Sequence, residues 1–213
     1  MWITLRHMSE FLETIRVSEG RFMLLPLHVE RMSRTQTEVY GRPSCGLCLG
    51  MADVPVDMRT GEVKCRVRYG REIESVEFER YSPRTVRSLR LVEASADFDY
   101  HLKYADRSAL TALRAQRGDA DEAVIVYHGL VTDTSYSNLV FRSREGRLYT
   151  PRTPLLRGVM RRHLLEKGLL SEADITPADL QGFVSVMMIN AMMPPGTIPE
   201  IPATAIGGDA YRW

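Results

Sequence analysis

The chain has 213 residues, with 28 basic against 27 acidic side chains and 44% hydrophobic residues. A formal charge of +1 supplies no basic field for nucleic acid or an anionic membrane, and no apolar run approaches the ~18–20 residues of a membrane span. The N-terminal Met1-Trp2-Ile3-Thr4-Leu5-Arg6-His7 has no secretory apolar core, so the composition predicts a cytoplasmic globular protein of one large domain or two small ones.

Leu12 to Val17 is β-like, and Ser18-Glu19-Gly20-Arg21 supplies a hairpin turn, with Phe22 to Leu25 continuing as a strand. Pro26 then opens a helix, Leu27 to about Tyr40, as proline can at the first helical turn. Leu27, Arg31, Arg34 and Glu38 fall on one side of it, and His28, Arg31 and Met32 form an H-x-x-R-M pattern. Taken alone, Arg31 reads as a solvated helix charge. Gly41 to Gly61 is rich in Gly, Pro and Cys and predicts a loop with room for a short helix. Its Cys45-Gly46-Leu47-Cys48 has redox or half-zinc spacing. No second ligand pair stands at metal spacing and no thioredoxin-like βαβ context is visible, so chance spacing is the better account and no metal is expected.

Val63 to Tyr69 alternates apolar and charged residues and predicts a half-buried strand. Ile73 to Tyr81 is another and Leu89 to Glu93 a third, which makes the N-terminal part mostly antiparallel sheet. Ala94 to Tyr104 breaks the periodicity and predicts a linker. Lys103 stands there between Leu102 and Tyr104, just before a helix beginning near Asp106, a position that does not favour a cation. That helix runs to Arg117, with Leu110 and Leu113 inward and Arg107, Arg114 and Arg117 outward; Gly118 ends it.

A strand from Ala123 to Tyr127 turns at His128-Gly129 into a second strand. There Thr132, Asp133, Thr134, Ser135, Ser137 and Asn138 place six short polar groups in seven positions before Leu139-Val140-Phe141. One or two such residues make a turn. Six suggest a hydrogen-bonding surface, although a loop stapled by its own side chains reads equally well. Asn138 to Arg142 and Arg147 to Thr150 form a hairpin. Val159 to Lys167 is a helix whose start at Gly158 has no Ser, Thr, Asp or Asn cap, leaving N–H groups for an anion. A short helix near Thr176-Pro177, an apolar strand from Val184 to Asn190, a turn at Ala191 to Pro195 and a last strand from Ile198 to Ile201 complete the chain.

Three of these elements carry chemistry. Lys103 offers an amine, Asp133 a carboxylate, and the Gly158 helix start a phosphate cradle to which Arg31 adds charge. An amine, a carboxylate and a phosphate cradle are what pyridoxal 5'-phosphate requires.

Five ordered blocks extend that reading. They are L-E-T-I-R-V-x-x-G at 12–20 with L-x-x-H-x-x-R-M at 25–32, L-K-Y-A-D-R at 102–107, G-L-V-T-D-T-S-Y-S-N-L-V-F at 129–141, G-V-M-R at 158–161 and N-A-M-M at 190–193. The chain resembles the class IV (fold-type IV) pyridoxal-phosphate enzymes, which include branched-chain and D-amino-acid aminotransferases and aminodeoxychorismate lyases. The resemblance implies a two-domain α+β fold, D-amino-acid aminotransferase-like, with a smaller α/β sandwich domain over 1–96 and a larger β-barrel-like domain over 106–213. A linker over 97–105 would carry the Schiff-base lysine. It implies a homodimer with the cofactor between the domains. Lys103 would be the catalytic lysine and Asp133 the partner of the ring nitrogen. Arg31, Gly158 and the N–H groups of Val159 and Met160 would bind the phosphate, with Asn138 fixing the polar loop and Asn190-Ala191 closing the phosphate side.

Three departures accompany the resemblance. Asp133 replaces the family's glutamate. G-V-M-R replaces G-I-T-R, so Met160 stands where a phosphate-binding hydroxyl would. The family's opening strand and its G-D-G turn are absent or replaced by Met1 to Ser9. G-V-M-R, N-A-x-M-P and Y-T-P-R (149–152) resemble aminodeoxychorismate lyases more than transaminases. The leading expectation is a lyase of folate biosynthesis that converts 4-amino-4-deoxychorismate to 4-aminobenzoate and pyruvate, with Arg152, Arg107 and Arg66 as candidates for the substrate's carboxylates. An aminotransferase for branched-chain or D-amino acids is the alternative, distinguished by glutamate formation from 2-oxoglutarate. A catalytically inactive relative is the third, distinguished by the lack of cofactor absorbance near ~400–420 nm.

Overall fold

The structure, a computed structural model, describes residues 11–43, 49–50 and 53–207. The chain divides into two compact units. One comprises the described residues up to Ser82 together with Leu102–Asp106, and the other runs over Pro83–His101 and from Arg107 onward. Both mix sheet with a few helices, and the fold is the two-domain α+β fold expected.

In the first unit, β1 (Phe11–Ser18), β2 (Arg21–Phe22), β3 (Glu62–Tyr69) and β4 (Ile73–Arg80) form an antiparallel sheet in the order β2-β1-β3-β4. β1 and β3 pair along their full length, from Phe11 opposite Tyr69 to Ser18 opposite Glu62. Their alternation buries Phe11, Ile15, Val17, Val63, Cys65, Val67 and Tyr69 on one face. Each such burial contributes roughly 1.5–3 kcal/mol. α1 (Leu25–Tyr40) packs against β1 and contributes Met32 to this core.

α1 has proline in its first turn and closes on Gly41 in a left-handed conformation. Leu24 before it has φ 54°, which breaks the strand after Phe22, so the predicted extension to Leu25 does not form. α1 buries His28, Arg31, Met32, Thr35 and Gln36, while Arg34 and Glu38 are exposed. The buried face is thus turned by about one residue from the predicted stripe, or about 100°. Met32 sets it, and Arg31 lies on its edge, buried rather than solvated.

The second unit holds β5 (Leu89–Glu93), α2 (Ser108–Ala115), β6 (Glu122–Tyr127), β7 (Leu130–Thr134), β8 (Asn138–Ser143), β9 (Leu148–Pro151), α3 (Val159–Glu166), β10 (Ser171–Ala173), β11 (Phe183–Ile189), β12 (Ile201–Pro202) and β13 (Ile206–Gly207). Its sheet runs β10-β9-β8-β7-β6-β5-β13, with β11 joining at β8 and carrying β12. β5 therefore does not extend the N-terminal antiparallel sheet as predicted. It lies parallel to β6, with β13 parallel on its other side. Its pattern differs accordingly: Leu89, Leu91 and Val92 are all buried, as in a strand covered on both faces. α2 packs on β5 and β6 through Leu110 and Leu113 and makes the crossover that two parallel strands need.

The unit boundary lies after Ser82, not near 96, and 102–106 is more than a linker. The Leu12 amide donates to the Lys103 carbonyl at 2.9 Å, and Tyr104 bridges to Phe11 with the rings 5.7 Å apart. These bonds return the segment to the first unit. The last predicted strand, Ile198–Ile201, is replaced by the short β12 and β13. Cys45, Cys48 and Met1 to Ser9 lie outside the described residues.

Candidate active site

In the first unit, β1 and α1 build a buried charge cluster. Alternation places Glu13 on the core face of β1 between Phe11 and Ile15, fully buried. α1 brings His28 and Arg31 to it, one turn apart on the same face. Arg31 Nε donates to Glu13 Oε1 at 2.8 Å and Arg31 Nη2 to Oε2 at 2.6 Å. His28 Nδ1 lies 2.6 Å from Oε2. Burial alone would raise the Glu13 pKa; the Arg31 charge and the bonds from His28 and Arg31 overrule it and hold it at about 2. Burial lowers the His28 pKa, the Glu13 contacts oppose this, and the charges of Arg31 and Lys103 push it down further. Lys103, half-buried beside the start of β1, thus acts electrostatically on this cluster.

In the second unit, Asp133 on β7 faces Asn138 on β8, in the register that joins these two strands. Asp133 is 4% exposed. Asn138 Nδ2 donates to its Oδ1 at 2.8 Å and the Leu156 amide to its Oδ2 at 2.9 Å. Burial pushes the carboxyl up to about 7, while the Leu156 and Asn138 donors and the Arg161 charge pull it down. Asn138 Nδ2 also donates to the Leu156 carbonyl at 2.8 Å, so one amide holds both β7 and the segment leading into α3.

α3 starts at Gly158 with no side-chain cap, and Val159 and Met160 form its buried first turn. A Cβ on Gly158 would meet Asn138 Oδ1 at 2.0 Å, so only glycine allows this approach. Asn190 closes the turn after β11. Its Oδ1 accepts from the amides of Met192 (2.8 Å) and Met193 (3.0 Å), and its Nδ2 donates to the Tyr136 carbonyl at 3.2 Å. Ala191, half-buried, stands inside that turn. The second unit thus brings Asp133, Asn138, Gly158 and Asn190 together through hydrogen bonds and close packing.

The small polar residues between Asp133 and Asn138 are mostly self-engaged. Thr132 Oγ1 donates to the Ile125 carbonyl at 2.7 Å, and Thr134 Oγ1 and Ser137 Oγ pair at 2.8 Å. Ser135 Oγ donates to Glu122 Oε1 at 2.8 Å. The stapled-loop reading therefore describes Thr132, Thr134, Ser135 and Ser137. The three arginines expected at substrate carboxylates are engaged as well. Arg66 pairs with Glu79 (3.4 Å) on the charged face of β3, and Arg152 with Asp174 (3.2 Å) at an exposed position. Arg107 Nη2 donates to the Ser135 carbonyl at 2.6 Å and clamps the loop.

A family model for Amino-transferase class IV matches residues 72–201. The chain belongs to the class IV aminotransferase family. It is 34% identical over 187 residues to an uncharacterized Haemophilus influenzae protein, covering 87% of this chain and 98% of that one. A crystal structure from Haemophilus somnus, described as a candidate 4-amino-4-deoxychorismate lyase, superposes with a TM-score of 0.78 at 28% identity, covering 91% of this chain and 99% of that one. A hypothetical aminotransferase from Mycobacterium tuberculosis, in a pyridoxal-phosphate-bound form, shares the fold at TM-score 0.72 and 20% identity, over 96% of this chain and 82% of that one.

The chain is therefore a pyridoxal-phosphate-dependent enzyme of class IV, and its residues suit that group. Asp133 is a buried carboxylate met by donors, the environment that pairs with a protonated ring nitrogen. The Gly158 helix start presents backbone N–H groups suited to a phosphate. Among the described residues no cluster of His, Cys, Asp and Glu could hold a metal ion.

Two buried acids escaped sequence reasoning. Glu13 could have been found as the charged residue in phase with Phe11, Ile15 and Val17. Glu122 opens an apolar strand and is fully buried, holding Ser135, Arg114 (2.8 Å) and Arg84 (3.3 Å). Its position at the end of a strand gave no periodicity signal.

Proposed function

We propose that the enzyme is a 4-amino-4-deoxychorismate lyase, yielding 4-aminobenzoate and pyruvate. The observation that carries the reading is the 28% likeness to the Haemophilus somnus structure, which spans nearly the whole of both chains. G-V-M-R at 158–161 and Y-T-P-R at 149–152 support it.

Pyridoxal 5'-phosphate, when bound, supplies an electron-withdrawing ring that accepts the electron pair released at the amine-bearing carbon. Lys103 would hold the cofactor's aldehyde carbon and would serve as the base that removes the proton from the amine-bearing carbon. Asp133 holds a proton at the ring nitrogen. The N–H groups of Val159 and Met160 and the Arg31 guanidinium hold the phosphate, while Asn138 and Asn190 keep the surrounding turns in place. As the proton leaves, the neighbouring carbon–oxygen bond breaks and its electron pair departs with the enolpyruvyl group. That group takes up a proton and becomes pyruvate, and the ring left behind is aromatic.

The test offers the holoenzyme 4-amino-4-deoxychorismate and follows 4-aminobenzoate by fluorescence, beside a second reaction with D- or branched-chain amino acids and 2-oxoglutarate. Aminobenzoate release at a catalytic rate is expected. Glutamate formation as the faster reaction would replace the lyase by the aminotransferase reading. Borohydride reduction should fix the cofactor on Lys103, and a label on another lysine would overturn its assignment. Association into a homodimer belongs to the same reading and is tested by sedimentation velocity.

A further inference from the structure

Glu13 holds a place in β1 where the strand's alternation calls for an apolar side chain, and three donors meet it there. Its ionised carboxylate can only accept, so His28 must carry its proton on Nδ1. His28 Nε2 is buried with no hydrogen-bond partner and burial lowers the ring's pKa, so the imidazole is neutral with a lone pair there. The imidazole therefore acts as a wedge against the carboxylate and adds no second charge. Arg31 meets the same carboxylate with two nitrogens, Nε and Nη2, each on its own oxygen. A two-point contact of this kind fixes the plane of a guanidinium as well as its position. It also commits the Nε–Nη2 edge of the fork to Glu13.

We propose that Glu13 is a positioning residue for cofactor binding: it locks the Arg31 guanidinium in one plane and so sets the edge that Arg31 presents to the phosphate. The proposal rests on the reading of Arg31 as a phosphate ligand. A carboxylate that merely neutralised a buried arginine would matter for stability and not for phosphate recognition.

The full chain freed of cofactor is titrated with pyridoxal 5'-phosphate and with pyridoxal, which has the same ring and aldehyde and no phosphate. The ratio of the two dissociation constants isolates what the phosphate contributes and cancels losses common to both ligands. Arg31→Gln should reduce that preference at least tenfold, the size of one charge-assisted hydrogen bond. Glu13→Gln should reduce it in the same direction by threefold or more. Glu13→Asp, which keeps the charge one methylene further back, should fall between Glu13→Gln and wild type. If Arg31→Gln removes the preference and Glu13→Gln leaves it at the wild-type value, the positioning role is overturned and the reading of Arg31 stands. If Arg31→Gln leaves it unchanged, Arg31 does not hold the phosphate and both readings fall. Should Glu13→Gln not fold, Glu13→Asp carries the test by the same criterion, and a wild-type preference in it overturns the proposal.

Discussion

Asp133→Asn keeps the shape of the side chain and removes its titration. Asp133 is 4% exposed, and its carboxyl is raised from 3.8 to about 7, chiefly by burial. A raised carboxyl pKa gives stability that is complete below about pH 3.8 and lost as pH rises through about 7. The gap of about 3 units corresponds to roughly 4 kcal/mol once the group is ionised in both states. At pH 5.5 only the unfolded chain is ionised and about 1.7 units of that gap have been lost. At pH 8.5 the loss is about 3.2 units, so about 1.5 units, or roughly 2 kcal/mol, fall within this interval. Asparagine does not titrate, so the stability of the variant relative to wild type should rise by about 2 kcal/mol from pH 5.5 to 8.5. Its offset at low pH should be unfavourable by about 1–2 kcal/mol. One amide cannot accept from both the Leu156 N–H and Asn138 Nδ2. Urea unfolding of the cofactor-free chain at several pH values measures both quantities. A difference that stays flat across the interval would mean that Asp133 is ionised throughout, and the reasoning would be refuted.

Gly158→Ala should destabilise by about 2–3 kcal/mol, read from thermal melts, because the new Cβ would lie 2.0 Å from Asn138 Oδ1. Backbone strain cannot explain such a loss, since φ there is −68°. Glu122→Gln should cost about 1–3 kcal/mol in urea unfolding, because the buried carboxylate gives up the charge-assisted bonds it accepts from Arg114 and Arg84. Arg66→Ala and Arg152→Ala should each change stability by less than about 1 kcal/mol, since their ion pairs are exposed. A tenfold rise in KM in either would restore that arginine as a substrate ligand. Glu13 predicts an acid transition in the first unit. Its pKa is lowered to about 2, so its stabilisation of roughly 3 kcal/mol is present above about pH 4.5 and disappears as pH falls through about 2, followed by near-UV circular dichroism.

The elements that periodicity reports were legible before the structure was. β3 alternates cleanly, α1 opens on a proline, and the positive φ angles of His128 and Gly129 form the tight turn that the sequence suggested. What escaped was decided by partners distant in sequence. β5 is a short apolar run whose sheet depends on β6 and β13, and nothing local records that. β10 reads Ser-Glu-Ala, mostly exposed, and becomes a strand only because β9 lies beside it. At the site, Asp133 and Asn138 were recognisable as residues. The division of labour around them was not, because four hydroxyls with similar sequence credentials turn to protein partners.

The second unit also limits how its site can vary. Asp133 accepts from Asn138 Nδ2, the same Nδ2 donates to the Leu156 carbonyl, and the Asn138 amide oxygen stands against Gly158. The Leu156 amide returns to Asp133. A glutamate at 133 would carry its carboxylate one methylene further and could not keep both the Leu156 and Asn138 bonds with the backbone unchanged. Asn138 could not follow it without leaving the Leu156 carbonyl or striking a side chain placed at 158. The shorter acid is therefore coupled to the geometry of the α3 start. Restoring the family's glutamate here should damage the phosphate side as well as the ring-nitrogen side. Titrating Asp133→Glu with pyridoxal 5'-phosphate and with pyridoxal tests this. Both affinities should fall, and the phosphate-bearing ligand should lose more. Equal losses would show that residue 133 and the α3 start act independently.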